Sequence, residues 1–251
     1  MQKDTSWQKV AGWYSGITKD GGHYYHQHVV IPGVLRLLNL PEYAQVLDLG
    51  CGNGVLAKAL PKQIDYLGVD SASSLIETAR VADDNPRHKY IVGDVTQPLK
   101  TNQKFGHGAI ILALQNMKAP LMAIENTSKH IADNGTLVIV LNHPSFRIPR
   151  QSSWGVDEAT KIQYRKVNKY MSPMEIPITA HPGARQSPIT WSYHYPLSSY
   201  SEMLYDNGFV IEKIEEWTSD KESVGKAARS ENRAREEFPL FMAIKARKIA
   251  L

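Results

Sequence analysis

The stretch VLDLGCGNGVLAKAL, residues 46–60, constrains the fold more than any other part of this chain. A short apolar run reaches Asp48, three glycines follow at alternate positions (Gly50, Gly52 and Gly54), and an apolar pattern of helical spacing stops at Pro61. Glycines at a strand-to-helix junction let the backbone turn tightly and let a ligand approach it, because a Cβ would obstruct both. The spacing G-x-G-x-G differs from the dinucleotide fingerprint G-x-G-x-x-G, which sets a pyrophosphate against a helix N-terminus. Asp48, two residues before the first glycine, suits a ligand with an ammonium group better than one with a diphosphate.

The same alternation continues downstream. DYLGVD (65–70), KYIVGD (89–94), GAIILAL (108–114) and GTLVIVL (135–141) have the apolar character of buried strands, and SSLIETARVA (73–82) and PLMAIENTSKHI (120–131) have helical spacing. Five strands alternating with helices predict a parallel sheet covered on both faces. From Asn142 to Pro196 regular apolar periodicity gives way to Pro, Ser, Tyr, His and Arg, the character of an insertion. Regular structure resumes with a helix in SSYSEMLYDNG (198–208), a strand in FVIEKIEEW (209–217) and a last strand in PLFMAIKAR (239–247). The two closing strands predict an antiparallel addition at the sheet edge, and the charged segment 218–237 between them suits a solvated helix.

The glycine loop resembles motif I of the class I S-adenosylmethionine-dependent methyltransferases, and the resemblance extends over residues 45–141. Asp70, closing the second strand, matches the acidic position that family members use for the ribose hydroxyls. Asp94, after the third, matches the position near the adenine. The resemblance implies a cofactor site of Asp48, Gly50, Cys51, Gly52, Asp70, Ser71, Asp94, Val95, Leu114 and Gln115, with Asn116 at the substrate mouth. Within it Cys51 is a packing or backbone-contact position, with no chemistry of its own. The segment LALQNM (112–117) lacks the acidic motif of many metal-dependent members and the N-P-P-[YF] signature of nucleic-acid amino-methylating enzymes. The implied fold is α/β and Rossmann-like, a mostly parallel seven-stranded sheet with an antiparallel final strand, helices on both faces and an inserted cap. Residues 45–251 would form the methyltransferase domain, with 142–196 as the substrate cap and 1–44 as an N-terminal helical lid. The implied activity is methyl transfer from S-adenosylmethionine to a small-molecule O, N or C acceptor, leaving S-adenosylhomocysteine. RNA or protein methylation, nicotinamide-dependent oxidoreduction and a non-catalytic cofactor-binding module stand as alternatives.

GGHYYHQHVVIPG (21–33) gathers His23, His26 and His28 with two tyrosines. On a helix, Tyr24, His28, Ile31, Leu35 and Leu38 share one stripe and His23 and His26 lie on another side, so the rings do not converge on a metal. Tyr24 and His26 are instead expected in a lid over the pocket, and no metal site is expected. His143, directly after the fifth strand, is the candidate general base, since an imidazole can take a proton near neutral pH. Arg147 and Tyr193 in the insertion are candidate substrate contacts, through a bidentate guanidinium and through an aromatic wall with a polar tip. The net charge of +4 is too small to imply nucleic-acid binding. The single cysteine excludes an intramolecular disulfide and suits a reducing compartment, which makes the cytoplasm the expected location. No apolar run approaches the roughly 20 residues of a membrane span. Oligomeric state leaves no mark in the sequence.

Overall fold

The computed structural model describes residues 7–12, 16, 23–179 and 187–250. Helix α1 (Ile31–Leu38) precedes strand β1 (Gln45–Leu49). Then come β2 (Asp65–Asp70), helix α2 (Ser73–Ala82), β3 (His88–Val92), β4 (Phe105–Ile111), helix α3 (Pro120–His130) and β5 (Ile131–Asn142). The inserted segment forms two antiparallel ribbons, β6 (Ser152–Val156) with β7 (Gln163–Val167), and β8 (Met174–Thr179) with β9 (Ile189–His194). Helix α4 (Leu197–Asp206), strand β10 (Phe209–Trp217), helix α5 (Ala228–Glu237) and strand β11 (Phe241–Lys248) complete the chain.

The seven-stranded sheet has the order β10-β11-β5-β4-β1-β2-β3. Neighbours among β1 to β5 pair in parallel, while β11 runs antiparallel to both β5 and β10. β11 therefore lies inside the sheet and β10 forms its edge. Residues along each central strand alternate between two apolar layers, as a period of two requires. Val46, Val138 and Val140 pack with Val34 and Leu38 of α1 and Ile76 of α2. Leu47, Leu49 and Ile139 pack on the other face with Ile124 of α3 and Leu204 of α4. The direction of chain growth reverses between β4 and β1, and in such sheets the crevice at the carboxyl ends of those strands receives the ligand.

Two local features differ from the sequence expectation. The expected helix after the glycine loop is reduced to turns and a three-residue 3-10 turn, Ala57–Ala59. Gly52 and Gly54 hold φ of +56° and +77°, and Leu60 is extended ahead of Pro61, so too few residues remain between them to repay helix nucleation. The second feature is a π-helical turn, His26–Val30, before α1. Pro32 has no N–H to give to the His28 carbonyl, and the backbone widens there, with Ile31 N–H reaching back to the His26 carbonyl. That shift moves the buried stripe to Val30, Ile31, Val34, Leu37 and Leu38. Part of the 1–44 segment expected as a lid is thus a core helix. It is seated by Gly33 against the Trp217 ring and by Arg36, whose guanidinium donates two hydrogen bonds of 2.8 and 2.6 Å to Glu215. The charged segment is helical over Ala228–Glu237 alone, with only Ala234 buried, as a solvated helix requires. Among the described residues no helix is long and apolar enough to cross a membrane.

Candidate active site

A cavity of about 960 Å³ opens at the carboxyl ends of the central strands. Gly50 and Gly52 reach it from the turn after β1, Asp70 and Ser71 from the end of β2, and Asp94 and Val95 from the turn after β3. Gly50 also has a left-handed backbone, φ +78°, and a Cβ there would strike the Ala113 methyl at 2.4 Å. The Asp70 carboxylate is held by the backbone: Gly52 N–H donates to one oxygen at 2.9 Å and Ala72 N–H to the other at 2.8 Å. Burial raises the Asp70 pKa, and those backbone donors oppose the rise. Asp94 is exposed, with one oxygen accepting from the Thr96 N–H and hydroxyl at 2.9 and 2.7 Å. Such carboxylates keep lone pairs for further donors.

The wall continues at the end of β4. Leu112 has φ of +52°, a strained value for a side chain branched beyond Cβ, and its carbonyl accepts from the Gln115 and Asn116 side-chain amides at 3.0 and 3.1 Å. Both amides are thereby fixed in the cavity wall, and the Gln115 Oε1 is left buried without a hydrogen-bond partner. His26 enters from the π-helical turn. Its Nδ1 is also buried and without a partner, and burial first, then the neighbouring His23, lowers its pKa to about 4. The imidazole is neutral throughout the physiological range.

Other residues singled out in the sequence lie outside this wall. Asp48 is 2 % exposed beneath the glycine loop, where one oxygen accepts from the Tyr66 hydroxyl at 2.7 Å and the other has no partner. Desolvation pushes its pKa up to about 7. Cys51 points into the core toward Gly68, whose missing Cβ makes room for its Sγ, and burial raises the thiol pKa. Leu114 is fully buried among the side chains of the α3 and α4 layer. Tyr24 stacks on His28 with ring centroids 4.2 Å apart and donates its hydroxyl to Asp220 at 3.1 Å, away from the cavity. Arg147 is half-buried beside Arg165 and does not line the cavity.

His143 also falls outside the wall. Its Nε2 lies 2.6 Å from Glu216, and its Nδ1 accepts from the backbone N–H groups of Ser145 and Phe146 at 3.1 and 3.3 Å. With both nitrogens engaged and the ring buried, this histidine fastens the start of the insertion to the end of β10. Tyr193 misses the cavity by register. Alternate residues of β9 face opposite ways, so Thr190 and Ser192 line the cavity with Ile178 from β8, while Tyr193 is buried on the other side of the ribbon. Asn142 and Pro149, at the start of the insertion, also contribute to the wall. Among the described residues no group of three His, Cys, Asp or Glu side chains is gathered as a metal site would require.

The geometry can be set beside known proteins. A protein of Coxiella burnetii named ubiquinone biosynthesis O-methyltransferase is 26% identical over 168 residues, 64% of this chain and 72% of its own. A crystal structure of an S-adenosylmethionine-dependent methyltransferase from Mesorhizobium loti superposes with a TM-score of 0.69 at 21% identity, over 89% of this chain and all of the other. A glycopeptide N-methyltransferase complexed with sinefungin superposes with a TM-score of 0.60 at 14% identity, covering 88% of this chain and 93% of that one. These likenesses establish the class I methyltransferase fold. The sequence model described as Methyltransferase domain matches residues 22–214, from the histidine-rich turn into β10, so this chain belongs to the methyltransferase-domain family.

Proposed function

We propose that the chain uses S-adenosylmethionine to methylate an O, N or C atom of a small molecule. The observation that carries this reading is the convergence of Gly50, Gly52, Asp70 and Asp94 on one cavity in a chain of this family. Asp70 and Asp94 would hold the ribose and adenine, the Gly50–Gly52 backbone would lie against the cofactor, and Gln115 would stand at its methionine end. Asp48, buried beneath the loop with its pKa raised to about 7, would take on its negative charge opposite the cofactor's ammonium group. When bound, the cofactor supplies a sulfonium methyl group as electrophile and a thioether as leaving group.

The protein's share is positioning and exclusion of water. At about 960 Å³ the cavity stands at the upper end of the range for a single small ligand, which leaves room for an acceptor beside the cofactor. The acceptor side is formed by the β8–β9 ribbon, Asn142 and Pro149 as a cap, with the His26 turn as the opposing lid. The name of the Coxiella burnetii relative favours a small-molecule acceptor. Calorimetry with S-adenosylmethionine and S-adenosylhomocysteine tests the cofactor: both should bind, and Asp70→Ala should weaken binding by about 1.5–3 kcal/mol, the value of hydrogen bonds to a charged group. Wild-type protein that binds neither compound would remove the reading. Isotopically labelled cofactor in a metabolite extract, followed by mass spectrometry, identifies the acceptor.

A further inference from the structure

We propose that Trp7 closes the nucleoside end of the cavity by laying its indole against the purine, and that Gln8 positions it there. The inference rests on the reading above, which puts the cofactor's ribose at Asp70 and its adenine at Asp94. Trp7 opens the 3-10 turn Trp7–Val10, is half-buried and lines the cavity. It packs against the small apolar cluster of Ala11, Ala72 and Leu75, at the start of α2 and directly after Asp70 and Ser71. The indole therefore stands on the β2 side of the crevice, whereas Gln115 comes from the end of β4, with β1 between the two strands.

The chemistry of this end leaves a place for a flat apolar face. Asp70, Ser71, Asp94, Thr96 and Gln97 are polar, while Leu75 and Val95 are 2 % and 5 % exposed and present little surface. Among the described residues the lining holds no Phe or Tyr, and Trp7 is its one tryptophan. A purine carries its polar atoms on its edges and offers two π faces, which stack on aromatic rings. The methionine end, with its ammonium, carboxylate and sulfonium, calls for polar and charged partners instead. The indole thus matches the base face-on, with Asp94 meeting its exocyclic amine at the edge. The cluster beneath Trp7 has three buried residues and stands apart from both core layers, so it does not consume the ring.

The next residue ties the turn to α2. That helix begins after Ala72, which has no side chain to cap it, and its first-turn N–H groups have no partner within the helix. Gln8 Oε1 accepts from the Ser73 hydroxyl and from the Ser74 N–H, both at 3.3 Å, so the cap arrives from 66 residues away. Val10 and Ala11 then bury themselves almost completely. Ala72, at the same helix start, donates its N–H to Asp70 at 2.8 Å. The indole and the ribose carboxylate are thereby mounted on one scaffold, the first turn of α2, and Gln8 holds the indole to it.

Calorimetry with S-adenosylmethionine and S-adenosylhomocysteine tests this on wild type, Trp7→Phe, Trp7→Leu, Gln8→Ala and Gln8→Glu. Phe keeps a flat π face, and Leu keeps apolar bulk without one. Trp7→Leu should weaken both compounds equally, by about tenfold, within the range for a lost base–aromatic stack, and Trp7→Phe by about threefold or less. Gln8→Ala should cost about threefold, and Gln8→Glu, which keeps an oxygen for the same donors, should restore wild-type affinity. Fluorescence supplies a second readout. S-adenosylhomocysteine should quench part of the emission of the chain's five tryptophans, and Trp7→Phe at saturation should lose most of that quenching. Wild-type affinity in Trp7→Leu, equal affinity in the Leu and Phe variants, or unchanged quenching in Trp7→Phe would overturn the purine contact. A loss confined to S-adenosylmethionine would overturn it too, since only that compound carries a sulfonium for a cation–π contact. Unchanged affinity in Gln8→Ala would remove the positioning role. Should Trp7→Leu lose its fold by circular dichroism, the quenching in Trp7→Phe decides. Wild type that binds neither compound removes the methyltransferase reading, whereas wild type that binds both, with any of the contrary results, removes only this one.

Discussion

At the scale of single residues, Asp48 combines full burial, one hydrogen bond and a pKa raised to about 7. An Asp in the unfolded chain ionises near 4. Between those values the folded state keeps a proton that the unfolded chain has released, so stability falls as pH rises through that window, by at most about 4 kcal/mol. Asp48→Asn should remove this dependence, raising the unfolding midpoint of the cofactor-free protein at pH 8 relative to wild type but not at pH 4. Urea titrations at the two values measure it, and parallel curves for the two proteins would contradict it. The same residue shows what sequence can and cannot carry. Its place two residues before Gly50 is legible in the loop pattern, while its withdrawal beneath the loop depends on Tyr66, on a different strand. His143 was similarly legible as adjacent to the fifth strand, but its partner Glu216 lies 73 residues away, and no local pattern announces that contact.

At the scale of elements, legibility follows the range of the interactions. The strands of the parallel sheet and helices α2, α3 and α4 are readable because apolar periodicity is a local property. The π-helical turn is not, since it arises from the missing Pro32 N–H within a segment whose apolar spacing alone suits an uninterrupted helix. It changes which residues face inward by one position and carries His26 to the cavity. The β8–β9 ribbon was missed for a related reason: only its register decides whether Thr190 and Ser192 or Tyr193 face inward. Helix α1 invites a direct test, because a Cβ on Gly33 would lie 2.4 Å from the Trp217 ring. Gly33→Ala gains roughly 1 kcal/mol of helix propensity but overpacks a rigid aromatic contact at a cost of about 1–3 kcal/mol, for a net loss of up to about 2 kcal/mol. Thermal unfolding should show the loss, and combination with Trp217→Leu should recover most of it.

At the scale of the whole molecule, the site collects turns from every parallel strand, and its two aspartates, Asp70 and Asp94, come from one side of the point where strand order reverses. No clustered donors support a divalent ion among the described residues, so treatment with a chelator should leave turnover unchanged. Activity that disappears on metal removal and returns only with magnesium or zinc would contradict this. The shortened crossover after the glycine loop has an electrostatic consequence. A full helix beginning there would sum its aligned peptide dipoles into about half a positive charge at the loop, which favours phosphate and repels a cation. With only the 3-10 turn Ala57–Ala59 behind it, this loop has little of that positive end, while Asp48 and Asp70 stand close by. A loop with so little helix dipole behind it and two carboxyl groups beside it would favour a sulfonium and an ammonium over a pyrophosphate, so NAD should fail to displace S-adenosylhomocysteine even at millimolar concentration.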